Sequence, residues 1–108
     1  MARALPETET GFQGWVLDRA RLDGWMVAHF RPAQTTRGWR TPVQADGKGF
    51  FDLVLIRPPR VIFAELKSDR GEVSVDQARW EACACQCPGV EVYLWRPRDR
   101  DLITELLK

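Results

Sequence analysis

The spacing of hydrophobic and polar residues changes several times along the chain, and each change marks an element. From about Thr8 to Gly24 the spacing is helical. Phe12, Trp15, Val16 and Ala20 recur on one side, while Asp18, Arg19 and Arg21 supply the wet side. Thr8 suits the N-cap and Gly24 the stop. Trp25 to Phe30 is a short apolar strand. Residues 31–49 lose periodicity and are punctuated by Pro32, Gly38, Pro42, Gly47 and Gly49, so an irregular loop is expected. Phe51 to Ile56 and Val61 to Leu66 are rich in β-branched and aromatic residues and read as two strands. Ser74-Val-Asp-Gln77 has the capping-box pattern and opens a second helix. Ala78, Ala82 and Cys83 are expected on its inner face, and Pro88-Gly89 is expected to end it. Val90 to Trp95 is a further strand, closed by Arg96-Pro97. Asp99 is placed to cap a last helix whose apolar face is Leu102, Ile103, Leu106 and Leu107. The order is helix, strand, hairpin, helix, strand, helix, an α/β arrangement in which residues 1–7 form a flexible tail and 8–108 one domain.

The register of the hairpin carries the chemistry. Consecutive prolines do not suit the positive φ of a tight primed turn, so Arg57-Pro58-Pro59-Arg60 is expected as a four-residue loop. Symmetry about Pro58–Pro59 sets Arg57 opposite Arg60, Leu55 opposite Ile62 and Asp52 opposite Glu65. Opposed side chains share a face, with Cβ atoms about 5 Å apart, and alternation adds Lys67 to the face of Glu65. A slip of one residue would send Glu65 to the other side. One face carries Leu53, Leu55, Ile62, Ala64 and Leu66. The other carries Val54, Ile56, Val61 and Phe63, with Asp52, Glu65 and Lys67 at its open end. Both faces are apolar near the turn, so both are expected to be covered.

Composition narrows the class without choosing within it. The chain has 108 residues, enough for one compact domain; 44% are hydrophobic and 29% charged. No apolar run matches a membrane span and the N-terminus shows no signal-peptide core, which points to a cytoplasmic protein. A net charge of +1 gives no global attraction to nucleic acid, so any such contact must come from local clustering. The segment 31–49 holds such a cluster. Arg31, Arg37, Arg40 and Lys48 surround Trp39, with Asp46 the one acid, a mixture suited to phosphate contact and stacking. Cys83, Cys85 and Cys87 form neither a disulfide framework nor, on a helix, a converging zinc set, and are expected to be semi-buried thiols. His29, the only histidine, is expected to be structural.

Two close carboxylates favour a hard divalent cation with oxygen ligands, Mg²⁺ or Mn²⁺. Asp52 and Glu65 would hold it, with the backbone carbonyl of Leu66 as a further oxygen. Lys67 would orient an attacking water and stabilise charge on phosphorus. Glu9, carried across by the first helix, would bind a second metal or a water of the first. An uncompensated carboxylate pair inside a sheet would cost several kcal/mol, roughly, which a cation removes.

Asp52 followed thirteen residues later by Glu65-Leu66-Lys67 resembles the signature of the PD-(D/E)xK nuclease superfamily. Glu9 with Phe12-Gln13, Gly24-Trp25, Gly49-Phe-Phe-Asp52-Leu-Val-Leu, Ala64-Glu-Leu-Lys67, Gly71, Ser74, Gln77, Trp80 and Tyr93-Leu-Trp-Arg-Pro97 together look like the small stand-alone VRR-NUC domain of phages and bacteria. The likeness runs from about Thr8 to Lys108. Phe51 departs from it, standing where proline usually precedes the aspartate. Glu81 and Ala84 also depart, standing where larger apolar residues are usual. The resemblance implies a restriction-endonuclease-like core of order α-β-β-β-α-β-α, with a central mixed sheet flanked by helices. It implies a metal-dependent endonuclease acting on DNA, on branched forms such as Holliday junctions, as a homodimer. Asp52 and Glu65 would be metal ligands, Lys67 the catalytic lysine, Glu9 the helix-borne acid and Gln77 the helix-borne glutamine near the scissile phosphate. The alternatives are a nuclease for plain or flapped duplex, and a nuclease-like module that binds DNA or protein without cutting.

Overall fold

A computed structural model describes residues 9–30, 33–36, 38–40 and 43–108; for Glu9, 33–35 and 38–40 it describes the backbone alone. Thr8, the 1–7 tail, Arg31 and Arg37 lie outside the described residues.

Helix α1 (Glu9–Leu22) stops where Gly24 takes φ +85°, a conformation open to glycine without strain. Strand β1 (Met26–His29) follows. The segment expected to be irregular contains a small antiparallel ribbon, β2 (Ala33–Thr35) with β3 (Gly38–Arg40). Thr35, Thr36 and Trp39 favour extended backbone, and the flanking Pro and Gly residues obscured that preference. Strands β4 (Leu53–Arg57) and β5 (Arg60–Leu66) form the hairpin, α2 (Val75–Ala84) crosses over, and β6 (Val90–Trp95) returns. A 3₁₀ turn (Pro97–Asp99) leads into α3 (Arg100–Leu107).

The main sheet runs β1-β4-β5-β6, antiparallel except for the parallel pair β5–β6. Parallel neighbours require a crossover, and α2 supplies it. The hairpin register is Leu53↔Ala64, Leu55↔Ile62 and Arg57↔Arg60, as symmetry required. The turn is shorter than expected: Arg57 and Arg60 are themselves a ladder pair, with only Pro58 and Pro59, joined by a cis bond, between them.

The core lies on one face of this sheet. Phe12, Val16 and Ala20 of α1 meet Leu53, Leu55, Ile62, Ala64 and Leu66 of the hairpin, with Trp95 and with Ile103 and Leu107 of α3. Each fully buried Leu or Ile contributes about 1.5–3 kcal/mol. The other face is not fully covered. Helix α2 lies on its β5–β6 side, while Met26 and Ile56 stay 79% and 41% exposed. The crossover helix reaches the strands it connects and not the β1–β4 edge.

Further expectations change. Ala78, Ala82 and Cys83 are exposed, and α2 turns Gln77, Trp80, Glu81 and Ala84 inward. The helix ends at Ala84, short of Pro88-Gly89, and all three cysteines are exposed free thiols. Asp99 accepts a hydrogen bond from the Arg96 N–H (2.8 Å), closing the 3₁₀ turn and not capping α3. Leu102, expected on the apolar face of α3, is 56% exposed.

The hairpin turn is anchored to the end of α3. Arg57 donates to the carbonyls of Asp23 (2.8 Å), Leu107 (3.0 Å) and Lys108 (2.8 Å). Arg60 donates to the Leu106 carbonyl (2.9 Å) and pairs with both oxygens of Glu91 (2.7 Å each). Both guanidiniums stand over the Trp25 ring, at 4.6 and 4.9 Å, and Trp25 Nε1 donates to the Leu107 carbonyl (2.9 Å). Cations therefore satisfy helix carbonyls that lack intrahelical partners. Among the described residues no helix is long and apolar enough to cross a membrane.

Candidate active site

The ladder pair Leu53↔Ala64 makes Asp52 and Glu65 the next rung, at the end of the hairpin away from the proline turn. The Phe30 N–H donates to the Asp52 carbonyl (2.9 Å), extending the β1 edge to this point. One Asp52 carboxyl oxygen accepts from the Leu66 N–H (2.8 Å), which turns that side chain across the hairpin toward Glu65.

Among the described residues Glu65 is the one charged side chain that is buried, 1% exposed. Its Oε1 accepts from Gln77 Nε2 (2.7 Å). Its Oε2 is buried without a well-formed hydrogen bond. Burial first, then the hydrogen bonding and charge of the adjacent Asp52 carboxyl, push the Glu65 pKa up to about 9, against a pull downward from Lys67. Glu65 therefore keeps its proton at neutral pH in the metal-free chain.

Gln77 reaches Glu65 because its helix starts in a defined phase. The Ser74 hydroxyl accepts from the Gln77 N–H (3.1 Å), and Gln77 Oε1 accepts from the Ser74 N–H (2.9 Å). The capping box uses the amide oxygen and Glu65 uses the amide nitrogen, so one side chain serves both. The loop before Phe50 presses on this same helix start. A Cβ on Gly49, where φ is +80°, would lie 2.6 Å from the Asp76 carbonyl carbon and 2.7 Å from the Gln77 nitrogen. Phe50 fixes the loop edge-on against Trp80 (5.0 Å between centroids) and against Phe30 (5.3 Å). Trp80 Nε1 donates to the carbonyls of Asp46 (3.1 Å) and Lys48 (3.2 Å).

Lys67 leaves the strand half-buried, its N–H donating to the Trp95 carbonyl (3.0 Å). Its charge acts on both Glu65 and Glu81. Glu81 was not expected among the site acids. It lies one turn beyond Gln77 on α2, its Oε1 is buried without a partner, and burial raises its pKa while Lys67 opposes the rise. The signal for it was available, since a helix phased by Ser74 and Gln77 turns residues 80, 81 and 84 to the same side.

Asp52, Glu65, Lys67 and Gln77 thus converge at the open end of the hairpin. Leu66 supplies its N–H to Asp52. Glu9 opens α1, and its side chain lies outside the described residues. Of the cationic segment, Arg31 and Arg37 lie outside the described residues, and Trp39 and Arg40 are described as β3 backbone alone. Lys48 is exposed, 3.6 Å from the Asp76 carboxylate. Among the described residues no group of three His, Cys, Asp or Glu side chains is arranged to hold one metal ion. The Asp52–Glu65 pair nonetheless suits a cation that keeps most of its water, as Mg²⁺ does with one or two carboxylates. The unpartnered Glu65 oxygen is an atom such a cation would satisfy. Comparison with protein-family models, with curated proteins and with solved structures returns no match to this chain.

Proposed function

We propose that this chain is a metal-dependent endonuclease that hydrolyses DNA phosphodiester bonds, a small VRR-NUC-like member of the PD-(D/E)xK superfamily with a restriction-endonuclease-like core. The observation that carries the reading is Glu65, a buried carboxyl beside a second carboxyl, held by Gln77 on one oxygen and unpartnered on the other. A structural role alone would favour an apolar residue there, because a desolvated acid next to another acid opposes folding.

In this reading Asp52 and Glu65 hold Mg²⁺ or Mn²⁺, with the Leu66 carbonyl as a further oxygen and Glu9 brought up by α1. When bound, the cation polarises the phosphate and lowers the pKa of a water. Glu65 gives up its proton on loading, and Gln77 keeps the resulting carboxylate in one orientation. Lys67, two residues on from Glu65 and just past the end of β5, orients the attacking water and meets the negative charge that builds on the phosphate oxygens. Arg31, Arg37, Trp39, Arg40 and Lys48 contact the DNA backbone and bases. Branched DNA such as a four-way junction is the proposed substrate. A homodimer is the proposed form, because cutting two strands of a junction takes two sites.

Labelled four-way junction, flap and linear duplex, each incubated with Mg²⁺, with Mn²⁺ and with EDTA, test this directly. Metal-dependent cleavage, strongest on the junction, is expected. Cleavage of flap or duplex in preference would move the substrate class. No metal-dependent cleavage of any of the three would reject the enzyme.

A further inference from the structure

Among the described residues three buried side-chain polar atoms lack a partner, and two of them, Glu65 Oε2 and Glu81 Oε1, belong to the two acids on which the Lys67 charge acts. Buried polar atoms are nearly always satisfied, so the Glu81 oxygen calls for a partner, and the Glu65 oxygen, with only the carboxyl of Asp52 beside it, calls for a proton or a cation between the two. Glu81 stands four residues after Gln77, on the stripe of α2 that faces Glu65. An apolar side chain at this position would fill the space without leaving a buried carboxyl oxygen unpartnered.

We propose that Glu81 is a further cation-binding acid of this site, a positioning residue that holds a water of the ion's shell on the α2 side, opposite Asp52. This rests on the nuclease reading and deepens it. Glu81 acts through water because Asp52, Glu65 and Glu81 do not converge on one ion. Groups in this outer position ordinarily change metal affinity by about 10–100-fold.

The test is Mn²⁺ binding to metal-free protein without DNA, followed by the paramagnetic resonance of free Mn²⁺, alongside thermal melts in EDTA. Wild type, Glu81→Gln, Asp52→Asn and, as a control, exposed Glu72→Gln are compared. Glu81→Gln is expected to weaken Mn²⁺ binding about tenfold while melting no lower than wild type in EDTA, since it removes a desolvated acid. Glu72→Gln should bind as wild type does, and Asp52→Asn should lose binding. Unchanged Mn²⁺ affinity in Glu81→Gln overturns this inference and leaves the nuclease reading standing. A wild type that binds no Mn²⁺ overturns both. If Glu81→Gln melts lower, Glu81→Asp decides: affinity recovered toward wild type supports the role, and affinity that stays low overturns it.

Discussion

Replacing Glu65 with Gln should change how the metal-free protein's stability depends on pH. The fold holds the Glu65 pKa near 9, against an ordinary value of 4.5. Between those values the folded chain keeps a proton that the unfolded chain has lost. The unfolded state then binds fewer protons, so stability falls as pH rises, by up to about 1.4 kcal/mol per pH unit. By pH 7, about 2.5 units above the ordinary value, the loss is about 3 kcal/mol. Gln at 65 keeps the shape and keeps an oxygen for Gln77 Nε2. Its NH₂ replaces the unpartnered Oε2 and gives the Asp52 carboxyl a donor. In guanidinium unfolding series with EDTA at pH 5, 6, 7 and 8, wild type should lose stability relative to Glu65→Gln at every step. The variant should be the more stable protein by pH 7. Parallel curves, or a variant less stable than wild type at pH 8, would refute the buried-acid argument. Excess Mg²⁺ or Mn²⁺ should stabilise wild type and leave the variant unmoved. Cation binding to wild type should also release a proton below pH 9, measurable as buffer-dependent binding heat.

Other consequences are reached by single substitutions. Asp52→Ala should reduce metal-dependent cleavage to background in the junction assay while DNA binding, measured by gel shift in EDTA, stays within about twofold, because Asp52 is not among the cations proposed to contact phosphate. Gly49→Ala should destabilise by about 1–3 kcal/mol in denaturant unfolding. It forces a positive φ on alanine and a clash with Asp76 and Gln77, and it should lower cation affinity as well by displacing Gln77. Arg57→Ala removes three carbonyl contacts and a ring contact at the end of α3. It should cost about 2 kcal/mol of stability with no change in Mn²⁺ affinity, which separates the anchor of the hairpin turn from the chemistry at its open end.

Much of this protein was legible from spacing alone. Alternation along Phe51 to Lys67, with two prolines at the midpoint, allows one register that buries Leu53, Leu55, Ile62, Ala64 and Leu66 together. That register places Asp52 across from Glu65 whatever packs around it. The capping box likewise announced the start of α2 and the position of Gln77, because its partners are three residues apart and need no tertiary help. The extent of coverage could not be read this way. Apolar residues on both faces of the hairpin suggested two covered faces, yet a crossover helix reaches only the strands it joins, and Met26 and Ile56 remain in solvent. Glu81 was legible only by setting the phase of α2 from Gln77, not from the apolar pattern. Ala78, Ala82 and Cys83 are the smaller, less polar choices for an inner face, but the Gln77–Glu65 bond turns the helix by its own geometry and brings a glutamate inward. Arg57 and Arg60 read as turn residues, and only the arrival of α3 beside the hairpin turned them into caps for its carbonyls. Which carboxylates oppose each other follows from alternation along the chain, because strand register is a local property of alternating side chains. How dry they are and what else faces them follows from packing, because burial and electrostatics depend on elements distant in the chain.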